Sequence, residues 1–285
     1  MKYVIITPAH NEEDFIEITI KSIIKQTILP QEWIIVDDNS TDQTASIIKN
    51  YAAKYEWIEY IYHHSGPWKS QGAKVIEAFN FGLAKLGVSD YDFISKIDAD
   101  LELPSDYFEK IGNSLYNNPK IGVLGGQILE FKNNSWKKIP QASYHIRGAL
   151  KSYRKECFIN IDGLMPVLGW DGLDEMKAMY YGWQTKIIDS NVKHFRPASS
   201  DYVATELLFN LGIANYKNGG GLFLALIRGI VRMKRKPYIL SGLYFLKGYF
   251  FALIKKEPKN VDKALARFIN RFHMKRLFSF VNIKF

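Results

Sequence analysis

Three short polar segments stand directly after hydrophobic runs, and they are where this chain could do chemistry. Asp98-Ala99-Asp100 follows Phe93-Ile-Ser-Lys-Ile97. Two carboxylates one residue apart, on a turn leaving a strand, can face one cation together. Hard oxygen ligands suit Mg²⁺ or Mn²⁺, which share their coordination with waters and substrate phosphates. Asp37-Asp38-Asn39-Ser40 follows Trp33-Ile-Ile-Val36. Its acidic and amide groups can accept hydrogen bonds from a nucleobase or ribose, and they are also good helix N-caps. Pro8-Ala9-His10-Asn11-Glu12 follows Tyr3-Val-Ile-Ile-Thr7. It lacks the glycines of a dinucleotide-fold turn or a P-loop, so it is no bare phosphate cradle. Taken singly, each segment reads equally well as a capped turn.

The elements that must position these segments alternate. Buried-strand patterns at Tyr3–Thr7, Trp33–Val36, Ile58–Tyr62 and Phe93–Ile97 are separated by helical spacing over Glu12–Gln26, from Thr41 to about Tyr55, and over Gly72–Leu86. Pro104 and Ser105 open a further helix, Ile121 to Phe131 reads as β, and Asn133-Asn134-Ser135 as a loop. Such alternation predicts a parallel, doubly wound sheet, whose ligands bind at the carboxyl ends of the strands. The polar segments lie at those ends.

As an ordered set, the segments carry a resemblance. Ile5-Ile-Thr-Pro-Ala-His-Asn-Glu12, Ile35-Val-Asp-Asp-Asn-Ser-Thr-Asp42 and Lys96-Ile-Asp-Ala-Asp-Leu-Glu-Leu-Pro104 resemble the family-2 class of GT-A glycosyltransferases. Arg147-Gly-Ala and Tyr153-Arg154, before Ile161-Asp162-Gly163, look like that family's acceptor-side segment. Gly169-Trp-Asp-Gly-Leu-Asp-Glu175, then Gly182-Trp183, looks like its acidic catalytic motif. The likeness covers roughly residues 2 to 200. It implies a GT-A fold, a nucleotide-diphosphate sugar donor and an Mg²⁺ or Mn²⁺ ion.

Carried over residue by residue, the resemblance places Pro8, Ala9, Asn11 and Glu12 at the border of the nucleotide pocket. Asp37 or Asp38 would bind the base or ribose, and Asp98, Ala99 and Asp100 would form the Asp-x-Asp turn, with Asp98 and Asp100 on the metal and the diphosphate. The family's catalytic base stands in a Glu-Asp pair at a set distance before a glycine. Counting back from Gly182 selects Asp171, although Trp170 replaces the Glu, and Asp174 and Glu175 are rivals. Lys69, Lys74 and Asn80 lie in a segment that approaches the nucleotide in this family. His63, His64, His145 and His194 are scattered and read as surface or packed residues.

The chain's 285 residues carry a net charge of +9, which suggests an anionic partner. One cysteine, Cys157, leaves no internal disulfide and fits a reducing compartment. No run is long and uncharged enough for an ordinary transmembrane helix, and the N-terminal apolar run is too short for a secretory signal. After about Ser200 the composition changes. Apolar helical stretches, Leu222–Lys236, Tyr238–Lys256 and Asn260–Leu277, are interspersed with Lys and Arg. Basic residues beside aromatic-rich helices suit an anionic membrane surface, and no nucleic-acid motif accompanies them.

The resulting expectation is a GT-A catalytic domain over residues 1–205 and a helical, membrane-associating region over 206–285. The protein would be cytoplasmic, at the inner face of the plasma membrane. The expected reaction is inverting sugar transfer to a glycan or polyprenyl-linked acceptor. Two alternatives stand beside it, a sugar-phosphate nucleotidyltransferase and a non-catalytic glycan- or membrane-binding module.

Overall fold

In the computed structural model, which describes residues 1–66, 72–196 and 205–280, the chain divides into two compact units. One comprises Met1–Pro166 and Trp170–Pro197; the other comprises Val167–Gly169 and Ala198–Phe285.

The first unit begins as the alternation requires: β1 (Tyr3–Ala9), α1 (Ile16–Ile24), β2 (Glu32–Asp38), α2 (Thr44–Ala52), β3 (Ile58–His63), α3 (Ala73–Leu83) and β4 (Phe93–Ile97). The short β5 (Leu101–Glu102) and α4 (Tyr107–Asn117) follow. Then come β6 (Ile121–Lys132), β7 (Ser135–Lys138), β8 (Leu150–Arg154), α5 (Lys155–Asn160), α6 (Trp170–Tyr180) and β9 (Gln184–His194). They build one mixed sheet in the order β3-β2-β1-β4-β8-β6-β9-β5, with β7 on β6.

β1 to β4 are mutually parallel, whereas β8 runs antiparallel to both β4 and β6. Every residue of β1 and β4 is buried, which is why both read as unbroken apolar runs rather than alternating ones. Ile16, Ile20 and Ile23 of α1, spaced to share one helix face, are buried in the same core as Tyr3, Ile5 and Trp33.

Asn133 and Asn134 form the two-residue turn of the β6–β7 hairpin, with φ of +52° and +58°. A twisted hairpin wants both turn residues left-handed, and Asn tolerates that backbone well. Ser135, expected in the loop, pairs with Lys132 instead.

The second unit holds α7 (Thr205–Lys217), α8 (Leu222–Arg232), α9 (Leu240–Ile254) and α10 (Lys263–Phe280). α7 and α9 touch backbone to backbone. A Cβ added to Gly212 would lie 2.0 Å from Phe245 O, and one added to Gly248 1.9 Å from Phe209 O. The expected helix over Leu222–Lys236 ends early, at Arg232. Pro237 disfavours helical backbone in the residue before it, which weighs against a helix running through Lys236. Among the described residues no helix is long and apolar enough to cross a membrane.

Candidate active site

The carboxyl ends of β1, β2 and β4 carry the segments singled out above. At the end of β2 both aspartates are buried and fixed by neighbours. Asp37 accepts hydrogen bonds from Ser40 N–H at 3.0 Å and from the Tyr60 hydroxyl at 2.9 Å. Asp38 lies 3.0 Å from His63 Nδ1 and accepts from the Ser65 hydroxyl at 3.0 Å. Asp38 also lines a cavity of about 200 Å³ with His10, Asn39, His64, Ser65, Gly66 and Lys74. Lys74 donates to Gly66 O and, at 3.3 Å, to the Ser65 hydroxyl. Asn80 points elsewhere and donates to Leu164 O at 3.1 Å. Lys69 lies outside the described residues.

Pro8 and Ala9 are the last residues of β1, buried, so what they offer a ligand is close approach of the main chain. Asn11, with φ of +52°, accepts from Thr41 N–H at 2.8 Å and ties the β1 loop to the β2 loop. The Glu12 carbonyl accepts the N–H of Ile16, the first residue of α1, at 2.8 Å. Its side chain is held by Arg196 Nη1 at 2.9 Å, while the second carboxylate oxygen is buried with no hydrogen-bond partner. Burial, reinforced by the nearby charges of Asp100 and Asp98, pushes the Glu12 carboxyl up to about 8 despite Arg196.

The turn after β4 is fixed from behind. The Thr19 hydroxyl of α1 sits 2.8 Å from both Ala99 O and Leu101 O and accepts Leu101 N–H at 2.9 Å. Ala99 is therefore a buried anchor between the two aspartates. Asp98 is bound by the buried ammonium of Lys96, which also donates to Gly148 O at 2.9 Å. Burial raises the Asp98 carboxyl, Lys96 opposes the shift, and Asp100 adds to it.

Asp100 lies 3.1 Å from His194 Nε2, and the candidate ligand atoms of Asp98, Asp100 and His194 all fall within 4.8 Å of one another. Burial works to lower the imidazole of His194, but its bond to Asp100 and the charges of Asp98 and Glu130 outweigh this and raise it. Two carboxylates and an imidazole are a donor set for Mg²⁺ or, with the nitrogen ligand, Mn²⁺. The partnerless oxygen of Glu12 and the raised carboxyls of Glu12 and Asp98 mark a place short of positive charge, so the residues fit a divalent cation.

His194 was read as a packed or surface histidine, and no local spacing could have singled it out. It reaches the aspartates because β9 returns antiparallel to β5, where His194 pairs with Leu101. The same return brings Arg196, whose N–H donates to Asp100 Oδ2 at 3.3 Å, onto Glu12.

The three acids proposed for proton transfer stand on α6 in different surroundings. Asp174 is buried and accepts both 2.9 Å bonds from Lys151 and one from the Tyr153 hydroxyl. Burial, helped by Glu175 and opposed by Lys151 and Tyr153, pushes it up to about 7. Glu175 is fully buried, accepts Ile146 N–H at 2.7 Å and lies 3.0 Å from Lys151 and 2.9 Å from His145 Nδ1. Asp171, in the first turn, keeps 37% of its side chain exposed. Its neighbour Trp170 takes the ammoniums of Lys96 and Lys151 at 5.3 and 5.5 Å from its ring centre. Arg154, from the acceptor-side segment, is spent on structure and donates to Ile121 O at 2.9 Å.

Comparison with known proteins agrees with this architecture. Residues 4–168 match the family described as glycosyl transferase family 2, and the chain belongs to it. A Bacillus subtilis protein, "Probable glycosyltransferase YdaM", is 33% identical over 135 residues, 45% of this chain and 29% of that protein. The GalNAc(5)-diNAcBac-PP-undecaprenol beta-1,3-glucosyltransferase of Campylobacter jejuni is 28% identical over 137 residues, 48% of this chain and 41% of that one. The chain spans under half the length of the curated relatives it matches. A mannosyltransferase from Pyrobaculum calidifontis, solved with GDP-Man and Mn²⁺, shares the fold with a TM-score of 0.55 at 14% identity. That alignment covers 97% of this chain and 80% of that one. The fold is thus GT-A, a mixed α/β sheet, and the chain adds a helical C-terminal part.

Proposed function

We propose that this chain is an inverting, metal-dependent glycosyltransferase. It moves a sugar from a nucleotide-diphosphate donor to a hydroxyl of a glycan or polyprenyl-linked acceptor. The observation that carries the reading is the meeting of Asp98, Asp100 and His194 after β4, together with the polar pocket that Asp38 lines at the end of β2. Asp38 and its neighbours would take the nucleoside. Asp98, Asp100 and His194 would hold Mg²⁺ or Mn²⁺, which when bound neutralises charge on the leaving diphosphate.

Asp171 is the base. Asp174 and Glu175 are already committed to Lys151, Tyr153 and His145, whereas Asp171 is half-exposed. Its carboxylate accepts the acceptor hydroxyl's proton as that oxygen attacks the anomeric carbon. Attack from the face opposite the leaving group inverts configuration. General-base assistance of this kind contributes about 10²–10⁴ in rate.

The helical unit supports a membrane-associated acceptor. Residues 222–256 contain eight Lys and Arg and no acid. The same stretch exposes Phe223, Ile230, Tyr238, Ile239, Leu243 and Ile254. Basic heads around an apolar face are what an anionic bilayer surface binds. A relative named for an undecaprenol-linked acceptor points the same way.

The test is a panel of nucleotide sugars with Mn²⁺, with and without membrane extract, read by nucleoside diphosphate release. Asp100→Ala abolishes turnover on the active donor. Wild-type activity in that variant overturns the metal assignment. Release of pyrophosphate points to a nucleotidyltransferase, and metal-independent binding without turnover to a non-catalytic module.

A further inference from the structure

One titratable side chain beside the assigned base is left without a task. His145 is held on one side by Glu175, whose Oε2 lies 2.9 Å from Nδ1, and on the other presents Nε2 to Asp171 Oδ2 at 3.9 Å. Glu175 is itself immobile: fully buried, with its other oxygen bound by Ile146 N–H at 2.7 Å and lying 3.0 Å from Lys151. A carboxylate only accepts hydrogen bonds, so Nδ1 carries the proton in the bond to Glu175. Nε2 is then the lone-pair nitrogen, and it is the one aimed at Asp171. The charged groups facing the ring are Glu175 and Asp171 from α6, with Lys151 of β8 behind Glu175.

We infer that His145, oriented by Glu175, takes from Asp171 the proton that Asp171 collects from the acceptor; this rests on Asp171 being the base. In the transfer step the acceptor O–H bond breaks and its oxygen bonds the anomeric carbon. The bond from that carbon to the diphosphate oxygen breaks, and its electron pair leaves with the nucleoside diphosphate. The proton rests on Asp171, then passes to Nε2 once the half-exposed Asp171 side chain closes the 3.9 Å gap to hydrogen-bond distance. The imidazolium so formed lies between two carboxylates, with Nδ1 2.9 Å from Glu175 and Nε2 3.9 Å from Asp171. Water can remove the proton, since 27% of the His145 side chain is exposed. Asp171 is thereby ionised again before the next acceptor binds. His145 is a positioning and relay residue; it need not touch the sugar.

The experiment measures kcat against pH, and donor Kd, for wild type, His145→Gln, His145→Ala and Asp171→Asn. In water, carboxylates titrate near 4 and imidazoles near 6.5. The relay needs a neutral imidazole and the bare base needs only an ionised carboxylate. In His145→Gln the kcat plateau therefore drops by about 10–100-fold, and the acidic limb moves to lower pH while donor Kd stays within about twofold. Added imidazole restores part of the rate to His145→Ala. A purely structural His145 predicts a lower kcat with an unmoved limb and no rescue, and that result overturns the relay. Wild-type plateau and limb in His145→Gln overturn it as well. Asp171→Asn separates the two readings. If it is inactive while His145→Gln behaves as wild type, the relay alone fails; if it still turns over, the base assignment fails first.

Discussion

Replacing Lys151 by Met probes the buried charge cluster beneath the base. The Lys151 ammonium is fully buried and lies 2.9 Å from both oxygens of Asp174 and 3.0 Å from Glu175, both of them buried too. Met keeps most of the volume and removes the cation. Removing one partner of a buried ion pair costs about 3–5 kcal/mol, because the other charge remains buried and uncompensated. Two carboxylates lose their cation here, so the upper end, about 5 kcal/mol, applies. For a unit of this size each kcal/mol is worth roughly 2–4 °C, so the melting temperature falls by about 10–20 °C near pH 8.

The pH dependence carries a sign. Asp174, already pushed up to about 7, rises further without Lys151. A carboxyl whose folded pKa exceeds its unfolded one is tolerated while protonated and costs stability as pH climbs through the folded value. The gap between wild type and variant is therefore small at pH 5, where both keep Asp174 protonated, and widens above about pH 7 until the pH passes the variant's own raised value. Thermal unfolding followed by tryptophan fluorescence from pH 5 to 8 measures it. A loss below about 3 °C at pH 8, or an equal loss at both ends, refutes the reasoning, because Lys151 would then not be neutralising buried acids.

Other outcomes follow from the same geometry. Asp38→Ala removes the partner of His63 and Ser65, so donor KM rises about 10-fold or more with a smaller change in kcat, measured by donor titration at saturating acceptor. Arg196→Ala strips the partner from Glu12, whose carboxyl, already near 8, rises further. Donor affinity in that variant weakens toward low pH, where Glu12 is protonated and lost to the acidic site; calorimetry from pH 6 to 9 reads it. Leu243→Asp with Ile254→Asp cuts co-sedimentation with anionic vesicles severalfold and leaves binding of free nucleotide unchanged; equal binding by both proteins removes the bilayer as partner.

Much of the parallel half was legible because local pattern and global fold agree there. β1, β2 and β4 are buried on both faces, so their apolar runs stop where the polar edge begins, and Asp37, Asp38, Asp98 and Asp100 mark that edge. What pattern could not reveal depends on return through space. His194 and Arg196 reach Asp100 only because β9 folds back on β5. Lys151 and Tyr153 sit in a strand whose partners are not its sequence neighbours, so their bonds to Asp174 left no spacing to find. The helical part was visible by composition, and the expected helical region over 206–285 takes in α7, although no bounds of its own were read for that helix.

That close approach has a consequence for handling the protein. Helices that meet main chain to main chain at Gly212 and Gly248 leave little room between them, so while Phe245 and Tyr249 pack inside, other large side chains of α9 lie on its flanks. Phe250, Phe251, Leu253 and Ile254 do so, and water gains nothing from wetting them. Purified without lipid or detergent, the chain should stick to itself along this greasy flank, and anionic lipid should restore a single dispersed species.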